Sequence, residues 1–161
     1  MSHDLYDGEV IGSDIFVVGE MGLVFRSTDD GESFLQLTPP TSTTLFGVLG
    51  APDGSVLVFG VAGACFRSVD RGATWNAINL GTENGLTSGR VLESGQILIA
   101  SEAGEIFVSS NCGADFKLTF FLQGLSIFDV AQASDKNIIL VGGSGIARLP
   151  ESVLSTSMGD E

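Results

Sequence analysis

Two aspartates stand in nearly the same eight-residue frame, 41 positions apart. Asp29 lies in Ser27-Thr28-Asp29-Asp30-Gly31-Glu32-Ser33-Phe34, and Asp70 in Ser68-Val69-Asp70-Arg71-Gly72-Ala73-Thr74-Trp75. A third copy, Ser109-Ser110-Asn111-Cys112-Gly113-Ala114-Asp115-Phe116, carries an amide in place of the acid. A carboxylate repeated in this way could ligate a metal or act as a catalytic acid. It could also accept hydrogen bonds from the backbone N–H groups of its own turn. The pattern Ser-x-Asp-x-Gly-x-Ser/Thr-aromatic favours the turn. Gly31, Gly72 and Gly113 can supply the positive φ of a tight hairpin. The hydroxyls of Ser27, Ser33, Ser68, Thr74 and Ser109 can satisfy further turn groups, and Phe34, Trp75 and Phe116 can anchor the returning strand. A device present in successive copies folds the chain and does not mark a single active centre. A calcium loop also needs more oxygen ligands per turn. No catalytic residue, metal site or cofactor is therefore assigned.

The remaining chemistry-bearing residues are sparse. Arg26 and Arg67 share one repeat position, occupied by Val108 and Leu149 in the other copies, and are the candidates for contact with a partner. His3, the single histidine, lies near the N-terminus and supports no histidine-based triad. Tyr6 is the single tyrosine. Cys65 and Cys112 fall at different positions of different repeats, so no disulfide is expected between them. Gly142-Gly143-Ser144-Gly145 sits where a blade turn belongs and reads as a hairpin, not as a phosphate cradle.

The elements that must hold these residues repeat with the same step. Gly22, Gly63, Gly104 and Gly145 stand at intervals of 41, as do Ile15, Val56, Ile97 and Ile138, and Val17, Val58, Ile99 and Leu140. Phe25, Phe66 and Phe107 form a further column. A period near 40 residues marks a repeat architecture. Within one copy, four short β-prone runs alternate with three turns, which predicts a four-stranded antiparallel meander. In the second copy the runs are 44–50, 55–60, 64–68 and 74–78. The second run does not alternate apolar with polar residues, so that strand is expected to be buried on both faces. Sheets stacked around an axis bury strands in this way. The expectation is an all-β fold, a partial β-propeller of about four blades, as one segment over 1–150 with repeats 4–43, 44–84, 85–125 and 126–150. The first strand of the first copy, 4–11, matches its equivalents poorly. The fourth copy lacks a last strand, and residues 151–161 read as a flexible tail.

Composition restricts the partners. Twenty acidic residues against seven basic ones give a net charge of −13. That leaves no basic patch for nucleic acid and disfavours anionic membrane surfaces. No apolar run approaches the roughly 18 residues of a membrane span, and the first nine residues lack the pattern of a signal peptide. The acidity reads first as a source of solubility, and a basic protein surface is the partner that it would otherwise suit.

The Ser-x-Asp-x-Gly-x-Ser/Thr-aromatic turns resemble the Asp-box, or bacterial neuraminidase repeat, which joins the third and fourth strands of propeller blades. The stretches 58–75, 17–27 and 141–150 further resemble the photosystem II stability/assembly factor-like family. The resemblance covers residues 12–150, and the chain looks like the C-terminal half of such a protein. It implies a non-enzymatic scaffold that binds protein partners, including components of membrane complexes. Read as part of a longer family member, the chain implies an exported, periplasmic setting. Open sheet edges imply self-association to complete a ring. The alternative is a sialidase-like glycan-binding or glycoside hydrolase module. That chemistry needs an arginine cluster and a tyrosine with a carboxylate partner, or two suitably spaced carboxylates.

Overall fold

The computed structural model describes residues 3–155. Four antiparallel sheets follow one another along the chain. Blade 1 holds β1 (Leu5–Ile11), β2 (Asp14–Gly19), β3 (Val24–Ser27) and β4 (Leu35–Gln36). Blade 2 holds β5 (Leu45–Gly50), β6 (Val56–Gly60), β7 (Cys65–Ser68) and β8 (Asn76–Ala77). Blade 3 holds β9 (Leu86–Val91), β10 (Ile97–Ser101), β11 (Glu105–Ser109) and β12 (Lys117–Phe121). Blade 4 holds β13 (Ile127–Gln132), β14 (Ile138–Gly142) and β15 (Gly145–Leu149), with no fourth strand among the described residues. Every sheet is a meander with strands in sequence order. No helix among the described residues is long and apolar enough to cross a membrane.

The cores lie between blades. Every residue of β6 and β10 is buried, and the two faces of each strand belong to different cores. Val56 and Val58 pack with Phe16, Val18 and Val24 of blade 1. Leu57 and Phe59 pack with Ile97, Ile99 and Phe107 of blade 3. Leu98 and Ala100 in turn meet Ile138 and Leu140 of blade 4. Unbroken apolar runs in the second strand are thus the sequence form of a sheet sandwiched on both sides. The first strands line the inner edge, with β1 against β5, β5 against β9 and β9 against β13. No comparable packing joins β13 back to β1 among the described residues, so the blades form an open arc.

Two short turns break the 41-residue step. In blade 1, Ile11 pairs directly with Asp14, leaving a two-residue turn, whereas Gly50 pairs with Val56 across a longer one. Leu5 nevertheless lies opposite Gly19 as Leu45 lies opposite Gly60. The first strand forms in full, and its poor sequence match comes from this slip of one position. In blade 4, Ile139 pairs with Arg148, whereas Leu57 pairs with Arg67, so the hairpin is one residue shorter. Two sequence columns are corrected by this slip. Arg148, not Leu149, is the structural counterpart of Arg26 and Arg67. Gly145 does not share the setting of Gly22, Gly63 and Gly104. A Cβ on those three would meet the carbonyls of Thr41, Thr82 and Leu122, whereas one on Gly145 would meet nothing within 4 Å.

The start of the expected tail packs against the fold. Glu151–Ser155 forms a 3-10 turn against β12, with Leu154 buried in the core between blades 3 and 4. Val153 and Leu154 are apolar and cover that core. Residues 156–161 of the expected tail lie outside the described residues.

Candidate functional site

The repeated turns are closed hydrogen-bond units. In blade 1, the Ser27 hydroxyl donates to Asp29 Oδ1 at 2.7 Å and itself accepts from the Gly31 N–H at 2.9 Å. Asp29 also accepts from the Ser33 N–H at 3.0 Å and the Ser33 hydroxyl at 2.5 Å. Blade 2 repeats this, with Asp70 accepting from Ser68 at 2.8 Å, the Thr74 N–H at 2.8 Å and the Thr74 hydroxyl at 2.5 Å. The Gly72 N–H donates to Ser68 Oγ at 2.7 Å. In blade 3 the polarity is exchanged and the loop is kept. Asn111 accepts from Ser109 and from the Asp115 N–H, and its own amide donates to Asp115 Oδ2 at 2.8 Å. The Gly113 N–H donates to Ser109 Oγ at 2.9 Å. The amide in the third copy is therefore a swap of donor and acceptor that keeps the loop.

These bonds explain the acidity of the two aspartates. The Ser33 hydroxyl foremost, with Ser27 and the Ser33 N–H, holds Asp29 at about 2. The Thr74 hydroxyl foremost, with the Thr74 N–H and Ser68, holds Asp70 at about 2. A folded pKa below the ordinary value of 3.8 means stabilisation fully present above about pH 4. It is lost as the pH falls through about 2. The double variant Asp29→Asn, Asp70→Asn is expected to flatten the loss of stability between pH 4 and pH 2. Urea unfolding at stepped pH checks this, and an unchanged pH slope would count against it.

The aromatic position does not behave uniformly. Phe116 is buried and Trp75 is half-buried against the core between blades 1 and 2. Phe34 stays 45% exposed, because no blade in this structure precedes blade 1. It does not anchor a core as the sequence pattern implies.

Arg26 and Arg67, expected to meet a partner, are engaged within the chain. Arg67 donates through Nη2 to Asp53 at 2.5 Å and through Nε to the Cys112 carbonyl of blade 3 at 2.9 Å. Arg26 donates through Nε to Asp14 at 2.7 Å and through Nη1 to the Arg71 carbonyl of blade 2 at 3.5 Å. Asp14 is buried and also accepts two bonds from the Arg71 guanidinium. Arg71 foremost, with Arg26, holds its carboxyl below the usual range against the opposing effect of burial. Each arginine thus ties its blade to the motif turn of the next. The Asp14–Arg71 bond spans 57 residues and joins non-equivalent repeat positions. Its only trace in the sequence is a basic residue at the variable site of the second turn.

A cleft of about 620 Å³ opens on the inner side of the arc, lined by all four first strands. Asp7, Glu9 and Asp129 contribute acid, Arg90 is the lining cation among the described residues, and Tyr6, Phe46 and Phe59 contribute rings. Burial foremost raises the Glu9 carboxyl, and Asp7 adds to the shift. The Gly50 backbone and Arg90 oppose it. Tyr6 stacks edge-on against Phe46 and donates to Glu20 Oε1 at 3.4 Å. Its hydroxyl is raised by burial first, then by the charges of Glu20 and Asp4. That shift is opposite to what a phenolate nucleophile needs. Among the described residues no three His, Cys, Asp or Glu side chains group as metal ligands. Cys65 and Cys112 are free thiols, and burial pushes Cys65 up to about 12.

No family model and no curated protein matches the chain. Solved structures do match it. The WD40 β-propeller domain of Doa1 is similar at 15% identity and a TM-score of 0.75, over 90% of this chain and 50% of that one. YCF48 bound to D1 peptide is similar at 17% identity and a TM-score of 0.70, over 96% of this chain and 51% of that one. Virginiamycin B lyase from Staphylococcus aureus is similar at 14% identity and a TM-score of 0.78, over 92% of this chain and 53% of that one. The chain spans about half the length of each of these structures. Four stacked meanders and these neighbours define a β-propeller. This chain supplies four blades of that architecture, and at such identities the likeness concerns the fold alone.

Proposed function

We propose that the protein is a non-enzymatic, protein-binding assembly scaffold whose inner cleft receives an extended, basic segment of a partner. The observation that carries this reading is the cleft itself. All four first strands line it, and it presents three carboxylates against one arginine. Charge complementarity of this kind sets partner choice and on-rate, and the net charge of −13 reinforces it. The Asp-box turns and the sequence resemblance to photosystem II assembly factor-like propellers support a scaffold, and they make a membrane-complex subunit the first partner class to test. A solved neighbour of this fold holds a D1 peptide. The raised Tyr6 hydroxyl and the engagement of Arg26 and Arg67 in blade contacts weigh against a sialidase-like centre.

The test is fluorescence anisotropy with a library of labelled basic, neutral and acidic peptides. Basic peptides are expected to bind, with affinity falling at least tenfold in Asp129→Lys and falling with added salt. Equal binding of acidic peptides, or no effect of Asp129→Lys, overturns the reading. Turnover on a panel of fluorogenic glycosides, lost on removal of one carboxylate, would install the enzyme reading instead.

A further inference from the structure

The two ends of the arc expose opposite halves of one contact, whose apolar part recurs at all three junctions inside the chain and whose arginine part recurs at two. On blade 1, Leu5 is 51% exposed, whereas its counterparts Leu45, Leu86 and Ile127 are fully buried between blades. Leu5, Val17, Phe25 and Phe34 enclose an uncovered apolar groove of about 220 Å³. On blade 4, Ile146 is 78% exposed, whereas its pairing counterparts Val24, Cys65 and Ile106 are buried. Val141 beside it is exposed where Val18, Phe59 and Ala100 are buried.

The polar half of the contact is divided in the same way. Arg148 holds Asp135 as Arg67 holds Asp53. Arg67 also reaches the Cys112 carbonyl of the following turn, and among the described residues no such turn follows Arg148. At the other end, Asp30 has a φ of 57°, like Arg71 at 60° and Cys112 at 57°. The Arg71 and Cys112 carbonyls accept from an arginine of the preceding blade, and no arginine reaches Asp30. The motif glycines agree. Gly72 is seated on Phe16 and Leu37 of blade 1, and Gly113 on Leu57 of blade 2. Gly31 faces only Ile15 of its own blade.

We propose that a second copy of this chain docks head to tail. Blade 4 of each copy lies on blade 1 of the other, so two arcs close a ring of eight blades. Eight lies within the range that propellers use. The contact is heterologous, and it closes because it occurs twice around one ring. In each junction Arg148 donates to the Asp30 carbonyl of the other copy, and Ile146 and Val141 cover the groove floored by Leu5. A second copy is the occupant because the two faces complement each other position by position, as continuations of the three junctions already present. Among the described residues β13 and β1 make no packing comparable to the three junctions, so this contact is not supplied there. The inference does not depend on what the cleft binds.

Light scattering on the full chain is expected to give twice the 16.7 kDa chain mass. Leu5→Asp and Ile146→Asp are each expected to yield monomers, with circular dichroism confirming that both stay folded. Mixed at high concentration, the two variants are expected to regain the dimer mass, because one junction in the mixed pair is unmutated on both sides. Arg148→Ala, at an exposed site, is expected to weaken dimerisation about tenfold, and it serves as the readout if an apolar variant loses its fold. A wild-type monomer at every concentration overturns the proposal, as does a dimer indifferent to Ile146→Asp or a mixture that stays monomeric. A mass that climbs past the dimer with concentration overturns ring closure.

Discussion

Phe59→Ala is expected to destabilise the protein by about 4 kcal/mol, near the middle of the range for a large aromatic removed from a core. The ring is fully buried between blades 2 and 3. Its neighbours have been shaped around it. A Cβ on Gly47 would stand 2.3 Å from the ring, and one on Gly89 would stand 3.0 Å from it. Those glycines lie on β5 and β9, the two inner strands that Phe59 separates. Both strands are held in their sheets by backbone ladders, so the surroundings have little room to collapse into the void. The loss falls at the middle of the three junctions, where a serial architecture can divide into two blade pairs. Urea unfolding is therefore expected to show a lower midpoint and a broadened transition. A cost below about 1.5 kcal/mol would mean that the strands close the gap, contrary to this account. Phe59 also lines the cleft, so the same variant is expected to weaken binding of a cleft ligand.

Gly63→Ala is expected to cost about 3 kcal/mol, combining an unfavourable backbone conformation with a clash against a fixed group. Gly63 has a φ of +67°, and a Cβ there would lie 2.1 Å from the Thr82 carbonyl oxygen. Its N–H donates to the Asn84 carbonyl at 2.9 Å, which fixes the turn against the loop leading into blade 3. Gly54→Ala is the matched control. Its φ is +83°, with nothing within 4 Å of the added atom, so only the conformational part remains, about 1 kcal/mol. The difference between the two variants, from urea or thermal unfolding, isolates the steric contribution. Equal costs would show that the carbonyl of Thr82 can retreat and that this loop does not lock the blades.

The blade plan was legible because its causes are local and recur. Apolar runs at 56–59 and 97–100 reported strands buried on both faces, and the Ser-x-Asp-x-Gly turns reported where the third and fourth strands meet. The site was less legible, for two physical reasons. Bonds such as Arg71 to Asp14 join different repeat positions of different blades, so no periodicity exposes them. Single-residue differences in turn length also move structurally equivalent residues out of their columns. That slip disguised β1, and with it Tyr6, Asp7 and Glu9 of the cleft. It likewise hid the equivalence of Arg148 to Arg26 and Arg67. The exposure of Phe34 and Ile146 follows from which blades flank them, a property that no single repeat encodes.

The cleft belongs to no single blade. Its walls come from β1, β5, β9 and β13, of which only successive members pack on one another. In a single copy, an array linked through nearest neighbours frays inward from its ends. A ligand that reaches from the Asp7 side to the Asp129 side would connect the first and last members, which have no packing like that of successive pairs. Binding would then act as a tie across the span, turning a chain of independent joints into one cooperative unit. Occupancy would suppress opening at both ends at once, with a magnitude set by ligand concentration relative to Kd.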